Sequence, residues 1–404
     1  MAAVVLTRRN LLAALLAPRE RLPPVRAITK GPKFHWFGYY DKLQFDPTSR
    51  YALGMEVDFE HRPVRPDDEI RLGVIDLRDG DRWREIARTK AWCWQQGCML
   101  QWLPGSADKV IYNDREDGQY VSRILDVHTG KSRTLPGPIY ALSPDARWAV
   151  ATSFSRLADT RPGYGYAGVA DKYKDVLAPG QEGIWWMDLE TGRRKLILSY
   201  AQVAAIPYRI GDWTGYKHRI NHLLVSPDGS RFIFLHRRTV DSHPEYGNTR
   251  MFTARPDGTD LYVVDPYGYT SHFIWRDPKH IMAWARHPSH GEKFYLFEDK
   301  TERVQVMAPE VMTVNGHNTY LPGKRWVLND TYPDRNRLQH PYLFDTTTGR
   351  KTPLGHFLSP KEYTGEWRCD NHPRYSPDGR LVTIDSPHQG GRQIYLIDIS
   401  GIVG

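Results

Sequence analysis

The sequence holds 404 residues, with 55 Lys+Arg against 47 Asp+Glu, 12% aromatics, 33 Gly and 29 Pro, a composition that excludes a disordered polymer. No apolar run approaches the ~20 residues that span a bilayer, and three cysteines cannot all pair internally, so neither a membrane span nor a disulfide scaffold is expected. The formal net charge of +8 invites a nucleic-acid partner, but residues 1–35 hold seven Lys or Arg against Glu20 alone, leaving the remainder nearly neutral; no nucleic-acid binding is expected.

Taken from the N-terminus, residues 1–24 read as a leader. Thr7-Arg8-Arg9-Asn10-Leu11-Leu12, followed by Ala13-Ala14-Leu15-Leu16-Ala17, resembles a twin-arginine export signal, which implies a periplasmic or secreted protein. Pro18-Arg19-Glu20-Arg21 stands where a small-residue cleavage site would lie, and the alternative is a basic N-terminus on a cytoplasmic protein.

From residue 25 to 404 one unit recurs. A strand-like run, a Pro-centred turn and a β-branched or aromatic run repeat around Pro47, Pro104, Pro144, Pro227, Pro278, Pro322 and Pro377. Proline presets the first turn position and Asp-Gly or Gly-Lys completes the reversal, so each copy reads as a hairpin. A third strand follows each hairpin, often ending in Asp and Thr-Gly, as in RILDVHTG at 123–130 and YLFDTTTG at 342–349, and a weaker fourth run follows most of them. Four short antiparallel strands repeated seven times predict a seven-bladed β-propeller. The longest interval, Pro144 to Pro227, holds a Gly/Tyr-rich insertion near 155–182. The seventh blade ends after its third strand at Ile394–Ile399, so a strand near Val25–Ile28 is expected to close the ring and cover the open edge.

The first strand of each blade lines the channel. Five or six residues before the turn proline, the last four blades carry His222, His272, His317 and His372. Four imidazoles converging on one axis point to a ligand site; the plainer alternative is a wet channel whose histidines bond one another. Arg368-Cys369-Asp370-Asn371-His372 sets a thiol and a carboxylate beside the last imidazole. His317, Cys369 and His372 form a nitrogen–sulfur set that favours zinc among divalent metals, with manganese or calcium as alternatives; Cys369 as a buried structural thiol is the competing reading. Cys93 and Cys98 lack ligand spacing and are expected to pack beside Trp92, Trp94 and Trp102.

Arg209, Arg219, Arg250, Arg276 and Arg286 cluster around the same blades, and one or two reaching the channel would suit a carboxylated ligand. Tyr39, Tyr40 and Asp41 enter the first blade, with Gln95 and Gln96 entering the second, as an opposite wall or as packing. No Gly-rich phosphate loop and no G-x-S-x-G elbow occurs, which sets aside nucleotide binding and α/β-hydrolase chemistry.

This layout resembles the propeller-fold polysaccharide lyases, the oligogalacturonate lyases and seven-bladed ulvan lyases. The likeness is most specific in GHNTYLPGKRWVLNDTYPD and RCDNHPRYSPDGRLVTIDSPHQGGRQIYLID. It implies that His272 acts near the substrate, that His317 and His372 ligate a metal, and that Arg250 meets a substrate carboxylate. Cys369 stands where the oligogalacturonate lyases have a glutamine ligand. The ulvan-cleaving relatives pair histidines with an arginine and a tyrosine and carry a structural zinc.

The residue types suit β-elimination from a uronate in an acidic polysaccharide or oligosaccharide. The C5 proton must be removed while the neighbouring carboxylate is neutralised by an arginine or a metal. His272 is the expected base, His222 or Tyr40 the acid and Arg250 the clamp, with His236 a weaker candidate. Trp36 and Trp213 are candidates for stacking on sugar rings. Two other readings compete: a non-catalytic TolB-like docking propeller, and a glycoside hydrolase using Asp41 and Asp370.

Overall fold

The structure, a computed structural model, describes residues 21–239 and 248–404. The paired arginines and the apolar segment after them lie outside the described residues. Seven four-stranded antiparallel sheets form a ring, a seven-bladed β-propeller. The innermost strands are Phe34–Trp36, Gln101–Trp102, Ala141–Leu142, His218–Val225, Thr270–Asp277, Thr319–Tyr320 and Arg374–Tyr375, in blades 1 to 7. A two-stranded sheet, Leu338–Gln339 with Phe357–Leu358, flanks blade 6. No helix among the described residues is long and apolar enough to cross a membrane.

The repeated turn has one construction. Ser226 Oγ donates to Asp228 at 2.6 Å, Gly229 N closes the turn onto Ser226 O at 2.9 Å, and Arg231 N donates back to Ser226 Oγ at 3.0 Å. Ser143 with Asp145 and Ser376 with Asp378 repeat it at 2.6 and 2.5 Å. Where a third strand ends in Asp, its carboxylate accepts the next backbone N–H groups: Asp188 takes Glu190 N and Thr191 N at 2.9 and 2.7 Å. These Asx turns satisfy donors that a tight reversal would otherwise strand.

The ring closes where expected. Val25–Ala27 pairs antiparallel with Gln393–Asp398, Val25 opposite Ile397 and Ala27 opposite Tyr395, giving blade 7 its outer strand. In blade 3, residues 152–182 separate the second strand, Trp148–Ala151, from the third, Gly183–Asp188, and contain a helix, Phe154–Thr160. Between blades 1 and 2, Trp36, Trp92 and Trp94 pack with ring centroids 5.1–5.5 Å apart beside buried Cys98. Trp36 is fully buried, which corrects its reading as a sugar-stacking rim residue.

One buried ion pair joins blade 7 to the start of blade 1. Arg374 donates to both oxygens of Asp385 at 2.8 and 3.1 Å, to Gln44 Oε1 at 2.8 Å and to Gly38 O at 3.0 Å. Asp385 in turn accepts Phe37 N at 3.2 Å and Gly38 N at 3.1 Å. Both side chains are 2% exposed. Removing one partner strands the other charge, so Arg374→Met is expected to destabilise the fold by about 3–5 kcal/mol. A denaturant midpoint equal to that of the parent would show that the pair does not hold this junction.

Candidate functional site

Beyond the innermost strand of blade 1 the chain turns into the channel. Gly38 has φ 104, and a Cβ there would sit 2.9 Å from the Gln96 carbonyl carbon, so only glycine fits this reversal. Tyr39 and Tyr40 follow, both buried. The Tyr40 hydroxyl donates to Phe273 O at 2.7 Å and accepts Phe273 N at 3.0 Å, riveting the segment to blade 5.

Around these two rings the four channel histidines converge. His272 and His317 lie 4.1 Å apart between ring centroids, His317 and His372 4.2 Å, and His222 and His272 6.5 Å. Tyr40 lies 5.5–6.4 Å from all four, and Tyr39 lies 4.9 and 5.1 Å from His222 and His372. His222 and His372 both have left-handed backbone, φ 52 and 42, a conformation that non-glycine residues adopt sparingly and that gathers at functional sites.

Asp330 organises two of these rings. Its carboxylate accepts His317 N at 2.7 Å, His317 Nδ1 at 2.9 Å and His372 N at 3.1 Å. Gly316 permits the approach, since a Cβ there would lie 1.9 Å from Asp330 O. With Nδ1 of His317 committed, its buried Nε2 has no hydrogen-bond partner among the described residues, nor does Nε2 of His372, which lies 4.0 Å from Asp370. One ligand atom each from His317, Asp370 and His372 lie within 4.8 Å of one another. Two orphaned imidazole nitrogens, a carboxylate and a second carboxylate behind one ring fit a divalent cation.

Cys369 contributes nothing to that group. It is buried, and burial pushes its thiol well above the usual range, so it stays protonated. Asp370 and His372 are two residues apart on the chain and converge; Cys369, immediately before Asp370, does not. This corrects the nitrogen–sulfur set to nitrogen–oxygen and removes the sulfur-based argument for zinc.

Beside the triad, His272 Nδ1 contacts Asn315 Oδ1 at 3.3 Å and Ser271 Oγ at 3.1 Å, while Nε2 lies 3.5 Å from the Tyr332 hydroxyl. Burial, then His317, holds His272 well below the ordinary imidazole range, and burial, then His317, does the same for His372. Burial lowers His222 to about 4, despite Asp41 at 3.6 Å. Burial opposes the charge on Asp41, but Lys42 at 3.1 Å and His222 keep its carboxyl below the usual value. His222, His272 and His372 are therefore held neutral, the form that ligates metals and accepts protons.

Arg250 and His236 lie elsewhere. Arg250 donates to Val203 O, Ile206 O and Pro207 O at 3.0, 2.8 and 3.2 Å, and to His236 Nδ1 at 3.1 Å. His236 Nε2 then pairs with His218 Nδ1 at 2.9 Å, under Trp213. Arg250 ties the loop after the short helix Tyr200–Ala204 to blade 4 and has no contact with the four channel rings among the described residues. Other arginines act on the cluster, and sequence reasoning passed over them. The charge of Arg237, on the second strand of blade 4, helps lower both His222 and His272. Arg368 donates to Asp370 at 2.8 Å.

No family model matches the sequence, and no curated protein matches it. Among solved structures, an oligogalacturonate lyase in complex with manganese is similar at 15% identity and TM-score 0.66, over 93% of each chain. An oligogalacturonate lyase from Vibrio parahaemolyticus is similar at 14% identity and TM-score 0.63, over 93% of this chain and 94% of that one. TolB from Acinetobacter baumannii is similar at 14% identity and TM-score 0.45, over 87% and 78%. At these identities the likeness establishes a shared propeller architecture.

Proposed function

We propose that this chain is a polysaccharide lyase that cleaves a uronate-containing polysaccharide or oligosaccharide by β-elimination with the aid of a bound divalent metal. The observation that carries the reading is the pairing of a neutral His272, its Nδ1 engaged by Asn315, with the His317–Asp370–His372 triad one ring away. The oligogalacturonate lyase with manganese, alike over nearly the whole chain, supports it.

In this reading His317, Asp370 and His372 hold the metal, which when bound supplies positive charge to a substrate carboxylate. His272 Nε2 takes the C5 proton, since its other nitrogen is committed as a donor. The C4–O bond then breaks as the C4–C5 double bond forms, and the leaving oxygen receives a proton. Tyr332, 3.5 Å from His272 Nε2, is the nearer donor for that proton. Tyr40, expected in that role, has its hydroxyl proton on the Phe273 carbonyl. Arg237 takes the clamping role first expected of Arg250. His222, next to Asp41, steadies the Tyr40 wall rather than reacting, at 3.4 Å from the Tyr40 hydroxyl.

Incubation with uronate polysaccharides should release products carrying a conjugated double bond, followed by ultraviolet absorbance. Absence of that signal on every acidic polysaccharide, in metal-loaded protein, would sink the reading and leave the docking-propeller alternative. Replacing His272 and His317 by Ala separately should each lower turnover by at least ~100-fold, with bound metal lost only from the second. Asp330→Asn should weaken metal binding by about 10- to 100-fold, read by metal titration independently of activity. Unchanged affinity there would show that Asp330 does not orient the ligands.

A further inference from the structure

The Gly/Tyr-rich insertion of blade 3 crosses toward blade 7 and meets the segment that carries the metal-site carboxylate. Its path is fixed at several points. Tyr166 stacks on Phe154 with ring centroids 4.1 Å apart, and a Cβ on Gly165 would lie 1.9 Å from Ala158 N, so the RPGYGY run lies flat on its helix. Gly163 O accepts Gln95 N at 3.3 Å. From this run Tyr164, 8% exposed, accepts a hydrogen bond from Arg368 Nη2 at 2.6 Å.

Arg368 is held from behind as well. Its carbonyl accepts Gln95 Nε2 at 3.1 Å and Arg392 Nη2 at 3.3 Å, and its Nε donates to Asp370 at 2.8 Å. Among the described residues its guanidinium makes only the bonds to Asp370 and Tyr164, so two of the five N–H groups a guanidinium carries are used. The side chain keeps 22% exposure, against 2% for Asp370 beside it. A preordered guanidinium fork with open donors, at the edge of a neutral imidazole cluster, is a receptor for a planar anion.

We propose that Arg368, held by Tyr164 of the insertion, is a specificity-determining residue that binds a carboxylate of the substrate on the metal side of the site. This rests on the lyase reading and adds to it a point of charge recognition besides Arg237, built by a segment outside the blade repeat. It predicts that substrate charge is read chiefly in binding. A neutral ester of the same sugar lacks the group that Arg368 takes.

The test compares a free-acid uronate oligosaccharide with its methyl ester on the parent, Arg368→Gln and Tyr164→Phe proteins. Arg368→Gln should raise KM for the free acid by about 10- to 100-fold, with kcat within a few-fold, an unchanged KM for the ester and full metal content. Tyr164→Phe should move the same parameter in the same direction, by about 2- to 10-fold. An equal rise for acid and ester, an unchanged KM, or loss of metal from Arg368→Gln would overturn the assignment; the last would make Arg368 a positioning residue for Asp370. Calorimetric binding of the free acid to a His272→Ala background separates this inference from the lyase reading. Binding that depends on Arg368 in that background, with no turnover of any uronate by the parent, keeps the receptor and removes the lyase, whereas no binding of the free acid removes the receptor.

Discussion

The site depends on the ion pair between Arg374 and Asp385, which lies outside it. Desolvating two charges is expensive, and such a pair adds little net stability over an apolar replacement. What it does is specify one backbone path. Asp385 accepts the N–H groups of Phe37 and Gly38, Arg374 takes the Gly38 carbonyl and Gln44, and the chain between them has a single way into the channel. With that segment in place, Tyr39 and Tyr40 fill the axis and the channel histidines pack against aromatic rings. Without it the same imidazoles would line a wet tube, exchange partners with water and regain ordinary basicity.

Dryness accounts for much of the chemistry that follows. Burial is the largest cause of the lowered basicity of His222, His272 and His372. Neutral imidazole is the form required of both a metal ligand and a base, so one physical cause prepares two functions. In the proposed reaction the same low polarity would strengthen the field of Arg237 on a developing negative charge. Asp330 supplies what dryness cannot, which is direction: one carboxylate fixes the ring of His317 and the backbone of His372 together.

The ring of blades was readable because its signals are local. Pro227-Asp228-Gly229 and its copies specify turns within four residues, and the Asp that ends most third strands specifies the next. The convergence of His222, His272, His317 and His372 was readable because they hold one slot in a repeated unit. Other features have no such register. Arg250 sits on an inner sheet position whose outlook is set by the loop at 203–207, and nothing in the strand itself announces that three carbonyls will absorb its guanidinium. Asp370 and Cys369 are adjacent, and which of them meets the imidazoles depends on the path of an irregular segment. Nothing in the sequence around Tyr40 decides between wall, packing and proton donor, and a single pair of hydrogen bonds to Phe273, 233 residues away, sets its place.

The closing strand Val25–Ala27 has a consequence for how this site comes into being. Its partner, Gln393–Asp398, belongs to the seventh blade, so Val25–Ala27 waits for the six blades between them to be synthesised. Pairings so distant along the sequence form late in folding, after the loop entropy of the intervening chain has been overcome. Asp385 and Arg374 belong to the same final blade, so the tyrosine segment near the N-terminus cannot be locked into the channel before that blade exists. Assembly of the imidazole cluster is thereby tied to completion of the ring. A chain without the seventh blade carries most of the ring and none of the organised cluster, which arrives in one step with closure.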